Sequence, residues 1–207
     1  MNKTIAIDLR LAIDEQRKQF RKSNKSELNQ LRNRGYQVKI ANSKEDIDAF
    51  IAIYTETMQR VEAKEEYFFD NDYFYTFLSN TSFETKLLVA TFEDKIIAGA
   101  IFTITNKIMQ YHLAGTTQEF IKVTPMKLIL DEARLLGNEL NLDFLHLGGG
   151  VGGSDDDSLF RFKSGFSNFQ CQFKIWKMII NEEKYNELVI KNNSDKQSNF
   201  FPLYRSN

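Results

Sequence analysis

Cysteine, histidine and proline are scarce in this chain of 207 residues, which holds one, two and two of them. The single Cys171 excludes a disulfide framework, a four-cysteine zinc site and a Cys-x-x-Cys redox pair, and it fits a reducing, cytoplasmic compartment. Two histidines leave little for a His-rich metal centre. With 10 Gly and 2 Pro the sequence is neither collagen-like nor linker-like. No apolar run approaches the ~18 residues of a membrane span. Lys3, Asp8 and Arg10 break up the start, so no signal peptide is expected either. A Gly-x-Ser-x-Gly elbow and a Gly-Lys-Ser/Thr phosphate loop are missing, and the glycines between Gly148 and Gly153 follow an expected strand without opening a helix, so a dinucleotide loop is a weak reading.

What is present is the 42% hydrophobic and 13% aromatic content of a globular core. The net charge of -1 hides an asymmetry. Residues 1–39 carry ten Lys/Arg against four Asp/Glu, a net of +6, and the remainder carries -7. A basic leading segment suits RNA, phosphates or an anionic membrane surface. The plainer interpretation is a solvated helix face, because the cations are spread out and no clustered aromatics sit among them.

Hydrophobic periodicity predicts a strand over Thr4 to Leu9, then helix from Ala12 to about Arg34, broken near Ser23-Asn24 and stopped at Gly35. Tyr36 to Ala41 is a second expected strand. Ser43 is placed to cap a helix with Ile47, Phe50, Ile51, Tyr54 and Met58 on one face, and an aromatic-rich helix is expected over Asp70 to Ser79. Runs at 87–92, 96–105 and 108–114, parted by Glu93-Asp94 and Asn106-Lys107, predict an antiparallel meander. Thr124-Pro125 reads as cap and first turn of a strongly amphipathic helix through Leu140. A strand from Asp143 to Leu147, a short helix around Asp156 to Lys163, a long strand from Phe169 to Ile180 and a helix over 182–190 complete the order.

The segment His146 to Phe166 concentrates the chemistry. Gly148, Gly149, Gly150, Gly152 and Gly153 let backbone come close to a ligand. Asp155, Asp156 and Asp157 are suited to a divalent cation, or to capping the following helix, which the helix dipole favours; no metal is assigned. Lys163 stands among Phe160, Phe162 and Phe166. It is either a stem covering an apolar patch or a fixed cation that stabilises an oxyanion or a phosphate, and the residues alone leave both open.

Leu147-Gly148-Gly149 followed by Asp157-Ser158-Leu159-Phe160-Arg161-Phe162-Lys163-Ser164-Gly165-Phe166 resembles the FemAB/FemX-like branch of the GNAT acyltransferase superfamily. Further ordered similarity lies at Thr4 to Leu9, Gly35, Glu56-Thr57 through Arg60, Ala114-Gly115-Thr116 and Thr124-Pro125. The resemblance implies an α/β fold, a mixed and mostly antiparallel sheet with helices on both faces. It implies a 1–35 strand-helix lead-in, a remnant or edge of a preceding domain, before a GNAT-like domain at 36–207. It further implies transfer of an aminoacyl or acyl group to an amine of a cell-wall or surface-polysaccharide precursor. The donor would be aminoacyl-tRNA or acyl-CoA, with no tightly bound cofactor. Lys163 would be the catalytic cation and Arg60 a holder of acceptor phosphates, with Tyr111, Gly148, Gly149, Gly150 and Phe162 lining the substrate.

Three features depart from the family pattern. His146 stands where Asp is frequent, Leu113 stands where an aromatic residue is frequent, and one domain stands where two are usual. Two alternatives follow: an acetyltransferase using acetyl-CoA on an amino-sugar nucleotide, or a binding half completed by a partner domain or a second copy in a homodimer. The Gln/Arg-x-x-Gly-x-Gly/Ala loop that acetyl-CoA users usually carry is missing, which favours the aminoacyl donor.

Overall fold

The computed structural model describes residues 3–151, 157–195 and 197–206. Two compact units are distinguished, Met1–Gln172 and Phe173–Asn207.

The first unit is built on β1 (Lys3–Asp8), β2 (Gln37–Ile40), β3 (Glu84–Phe92), β4 (Lys95–Thr105), β5 (Ile108–Thr116), β6 (Phe144–Gly148) and β7 (Gln170–Gln172). They form one sheet in the order β2-β3-β4-β5-β6-β1-β7. Every neighbouring pair is antiparallel except β5 and β6, which are parallel. The hairpin turns at Glu93-Asp94 and Asn106-Lys107 place both central residues at positive φ, the two-residue geometry whose twist matches that of the strands it joins.

Strand alternation divides the core into two layers. Leu88 and Ala90 of β3 face one cluster with Leu28 and Leu31 of α2 (Lys22–Asn33), Leu128 to Leu130 of α5 (Met126–Glu139) and Phe160 of α6 (Ser158–Lys163). Leu87 and Val89 face the other, with Phe50 and Tyr54 of α3 (Lys44–Arg60) and Phe74 of α4 (Asn71–Ser79). The mixed sheet with helices on both faces is therefore present as expected. Ser43 caps α3 by accepting from the Asp46 N–H at 3.2 Å, and Asp70 caps α4 at 2.8 Å.

Three local expectations are corrected. The first helical segment breaks at Gln19–Arg21, between α1 (Ile13–Lys18) and α2, not at Ser23-Asn24. There the Arg21 N–H is drawn to the Gly165 carbonyl at 2.8 Å, while Asn24 is buried inside α2. Thr124 does not cap α5: it has φ +56°, Pro125 takes the cap position, and the Thr124 hydroxyl donates to Glu27. The short helix is present as α6, capped by Asp157, while Gly152, Gly153, Asp155 and Asp156 lie outside the described residues. The strand from Phe169 shrinks to β7, because pairing ends where β1 begins, at Lys3↔Gln172. An apolar run alone makes no strand without a partner for its backbone groups.

Residues 3–35 supply an interior strand and two helices to the first unit, β1 lying between β6 and β7. A buried ion network fastens those helices. The Asp131 carboxylate, fully buried on α5, accepts from Arg17 at 3.1 Å, Arg32 at 2.9 Å and Arg134 at 2.8 Å. Two of the leading segment's cations thus serve packing, as guanidinium forks in place of a solvated face. The second unit holds α7 (Glu182–Lys191), capped by Asn181.

Candidate active site

Parallel pairing of β5 with β6 runs from Ile108↔Phe144 to Gln110↔His146 and then stops. Both strands continue. On β5 the register against β4 passes from Phe102↔Tyr111 to Ile101↔Leu113, leaving His112 as the extra residue of a bulge that bends the strand. On β6, Gly148 takes φ +78° and turns the chain away. The two strand ends separate, and a crevice at the carboxyl ends of parallel strands is a common ligand site in such sheets.

Lys163 fills this opening. It ends α6, a short helix anchored by buried Phe160 and followed by buried Phe166, with Phe162 edge-on to Phe166 at 5.6 Å. Asp157 caps that helix by accepting from the Phe160 N–H at 2.8 Å. The lysine is only 6% exposed. Its Nζ donates to the Gly149 carbonyl at 2.7 Å and lies 5.5 Å from the centre of the Tyr111 ring. Burial pushes its pKa down to about 8, against the opposing pull of the Asp157 carboxylate. The Tyr111 phenol is pushed up by burial.

The glycines have tight constraints of their own. A Cβ on Gly149 would stand 2.9 Å from the Lys3 carbonyl oxygen, and one on Gly150 would overlap the Asp157 carboxylate. Close approach is therefore required, and it is approach to β1 and to the α6 cap. Gly148 borders the Lys163 ammonium beside Gly149, with a Cβ position 3.4 Å from Nζ.

His146 borders the same opening. Its Nε2 is 3.0 Å from the Thr4 hydroxyl, and its Nδ1 is buried without a partner. Burial and then the Lys163 charge hold its pKa below the usual histidine value. Its partner lies 142 residues away, so no local spacing could announce the pair.

Arg60 is placed elsewhere. It closes α3, on the face lined by Leu87, Val89 and Ile101, whereas Lys163 contacts Tyr111 on the opposite layer. Its Nη2 donates to the Thr57 hydroxyl at 3.3 Å, and its Nη1 is buried without a partner, as is the Thr117 hydroxyl. Thr57 in turn accepts from the Thr116 N–H at 3.1 Å, at the end of β5. Lys163, Tyr111, Gly148 and Gly149 thus come together, Gly150 and Phe162 support them, and Arg60 stands apart.

The comparisons with known proteins agree with the fold. The family model described as an acetyltransferase (GNAT) domain matches residues 18–163. FemX is similar in structure, with a TM-score of 0.69 at 13% identity over 82% of this chain and 60% of FemX. L-PGS from Bacillus licheniformis gives 0.57 at 17% identity, over 80% of this chain and 56% of its own. The C-terminal domain of an Agrobacterium fabrum protein bearing the name lysylphosphatidylglycerol synthetase gives 0.57 at 15%, over 80% and 56%. The chain spans no more than 60% of any of these three. No curated protein matches the sequence significantly. With the family model covering well over half of its length, the chain belongs to the acetyltransferase (GNAT) domain family, with a fold similar to that of FemX.

Proposed function

We propose that the chain transfers an aminoacyl or acyl group to an amine of a cell-wall or surface-polysaccharide precursor in the cytoplasm. The observation that carries this is the buried Lys163 ammonium held at the parted ends of β5 and β6. An ammonium has three N–H donors, and one is occupied by the Gly149 carbonyl. Two remain for an acyl oxygen. In the transfer, the acceptor nitrogen attacks the acyl carbonyl carbon, the carbonyl electrons move onto oxygen, and Lys163 stabilises that oxyanion in a setting that excludes water. Collapse then breaks the bond to the donor's oxygen or sulfur, which leaves with the proton that the amine gave up. His146, held neutral by burial and by Lys163, adds no competing charge.

Positioning supplies much of the remaining rate. Tyr111 and Gly148 border the acyl group, and Arg60, which stands apart from Lys163, holds an acceptor phosphate away from the reacting carbonyl. Coverage of only 60% of FemX favours a second reading, in which this unit needs a further domain or a second copy to complete the acceptor cleft. Among the described residues, no helix is long and apolar enough to cross a membrane.

Thermal-shift measurements with acetyl-CoA, UDP-linked precursors and an aminoacyl-tRNA mimic test the assignment. Stabilisation by a donor and an acceptor is expected. A protein that responds to neither, and transfers nothing, contradicts it.

A further inference from the structure

The helix that follows a parallel strand in a β-α-β crossover normally offers its N-terminal N–H groups and its dipole to a phosphate. Here that helix is α5, following β5 and preceding β6. Four features close its start. The Lys127 N–H is taken by the Thr124 carbonyl at 3.0 Å, and the Leu128 and Ile129 N–H groups by the Pro125 carbonyl at 2.9 and 3.3 Å. Met126, Lys127 and Leu128 are buried. The stretch from Thr117 to Leu136 has no glycine, so backbone cannot wrap a phosphate closely, and 118–123 is wound into a 3-10 turn. Finally, Glu27 of α2 reaches across, its carboxylate pairing with Lys127 and accepting from the Thr124 hydroxyl at 3.2 Å. The negative charge that the helix start would attract from a ligand is already supplied by the protein.

We infer that Glu27 closes the α5 start to diphosphates, so that the acyl donor is not a coenzyme A thioester held by its pyrophosphate at this turn. An aminoacyl ester, whose reacting carbonyl needs no diphosphate anchor here, meets no such barrier. The inference rests on the acyl-transfer reading only in calling the excluded ligand a donor; the exclusion itself is read by binding, without turnover.

The test is calorimetric titration of the chain with coenzyme A and with inorganic pyrophosphate. The wild type is expected to bind neither at millimolar concentration. Glu27→Gln releases Lys127 and removes the carboxylate, and pyrophosphate affinity is expected to rise at least about 10-fold, the effect of one nearby charge in a partly buried setting. If the lone substitution unfolds the chain, Glu27→Gln with Thr124→Ser and Lys127→Arg keeps a cation better suited to the loss. Micromolar binding of coenzyme A by the wild type overturns the inference. So does unchanged pyrophosphate affinity in the folded variants. Neither outcome touches the role of Lys163, which is read by transfer.

Discussion

The Lys163 ammonium donates to the Gly149 carbonyl at 2.7 Å, tying the end of α6 to the turn just beyond β6. The same ammonium faces the Tyr111 ring of β5, so one cation spans the gap where parallel pairing has stopped. Its burial has a consequence for pH. The folded chain releases the Lys163 proton near pH 8, whereas an unfolded chain holds it to the ordinary value of 10.5. Between these values unfolding takes up a proton, so stability gains as pH rises through the window. Wild type is therefore expected to gain stability over Lys163→Met between about pH 7 and about pH 10, followed by urea melts at each pH. Parallel pH profiles for the two proteins would show that the lysine is not buried as a cation.

Asp131→Ala should be among the most damaging single changes. It leaves Arg134, with a side chain only 2% exposed, without its carboxylate, and it takes one partner from Arg17 and from Arg32, which keep Asn29 and Glu132. Removing one member of a buried ion network costs about 3–5 kcal/mol. A denaturation midpoint close to wild type would mean that α1 and α2 are held by apolar contacts alone.

Gly115→Ala probes the seat of α3 on β5. The new methyl would lie 2.9 Å from the Ile53 carbonyl oxygen and 3.0 Å from the Tyr54 Cα, both backbone atoms that cannot swing away. Overpacking of this kind costs about 1–3 kcal/mol. A melting temperature that does not fall would show that α3 can lift from the sheet at no cost.

The meander, the capped α3 and the amphipathic α5 were legible because each is a local matter of alternation, turn residues and caps. The site was legible to the extent that Lys163 and the glycines share one short segment. What could not be read was distance in space. His146 with Thr4, Glu27 with Lys127, and Asp131 with Arg17 and Arg32 join residues about a hundred or more positions apart, and no spacing rule links them. The strand expected from Phe169 to Ile180 failed for the same reason: its composition was right, but β1 offered partners only as far as Gln172. Arg60 was named by resemblance as a holder of acceptor phosphates, and it ends α3 on the layer opposite that of Tyr111 and Lys163.

Salt dependence discriminates between donors. Binding of an aminoacyl-tRNA neutralises several phosphates, so affinity should fall steeply as salt rises, on the order of one decade per decade of salt for each contact. Fluorescence anisotropy with a labelled aminoacyl-tRNA mimic measures this. A slope near zero argues against a tRNA donor.

The account stands most directly on the rate of acyl transfer by Lys163→Met beside wild type, with the fold of both checked by circular dichroism. Loss of one preorganised donor to the oxyanion should lower the rate at least about 10²-fold, equivalent to about 3 kcal/mol, with the melting transition still cooperative. A folded Lys163→Met protein that transfers at the wild-type rate would contradict the assignment and leave the lysine as a strut between α6 and the Gly149 turn.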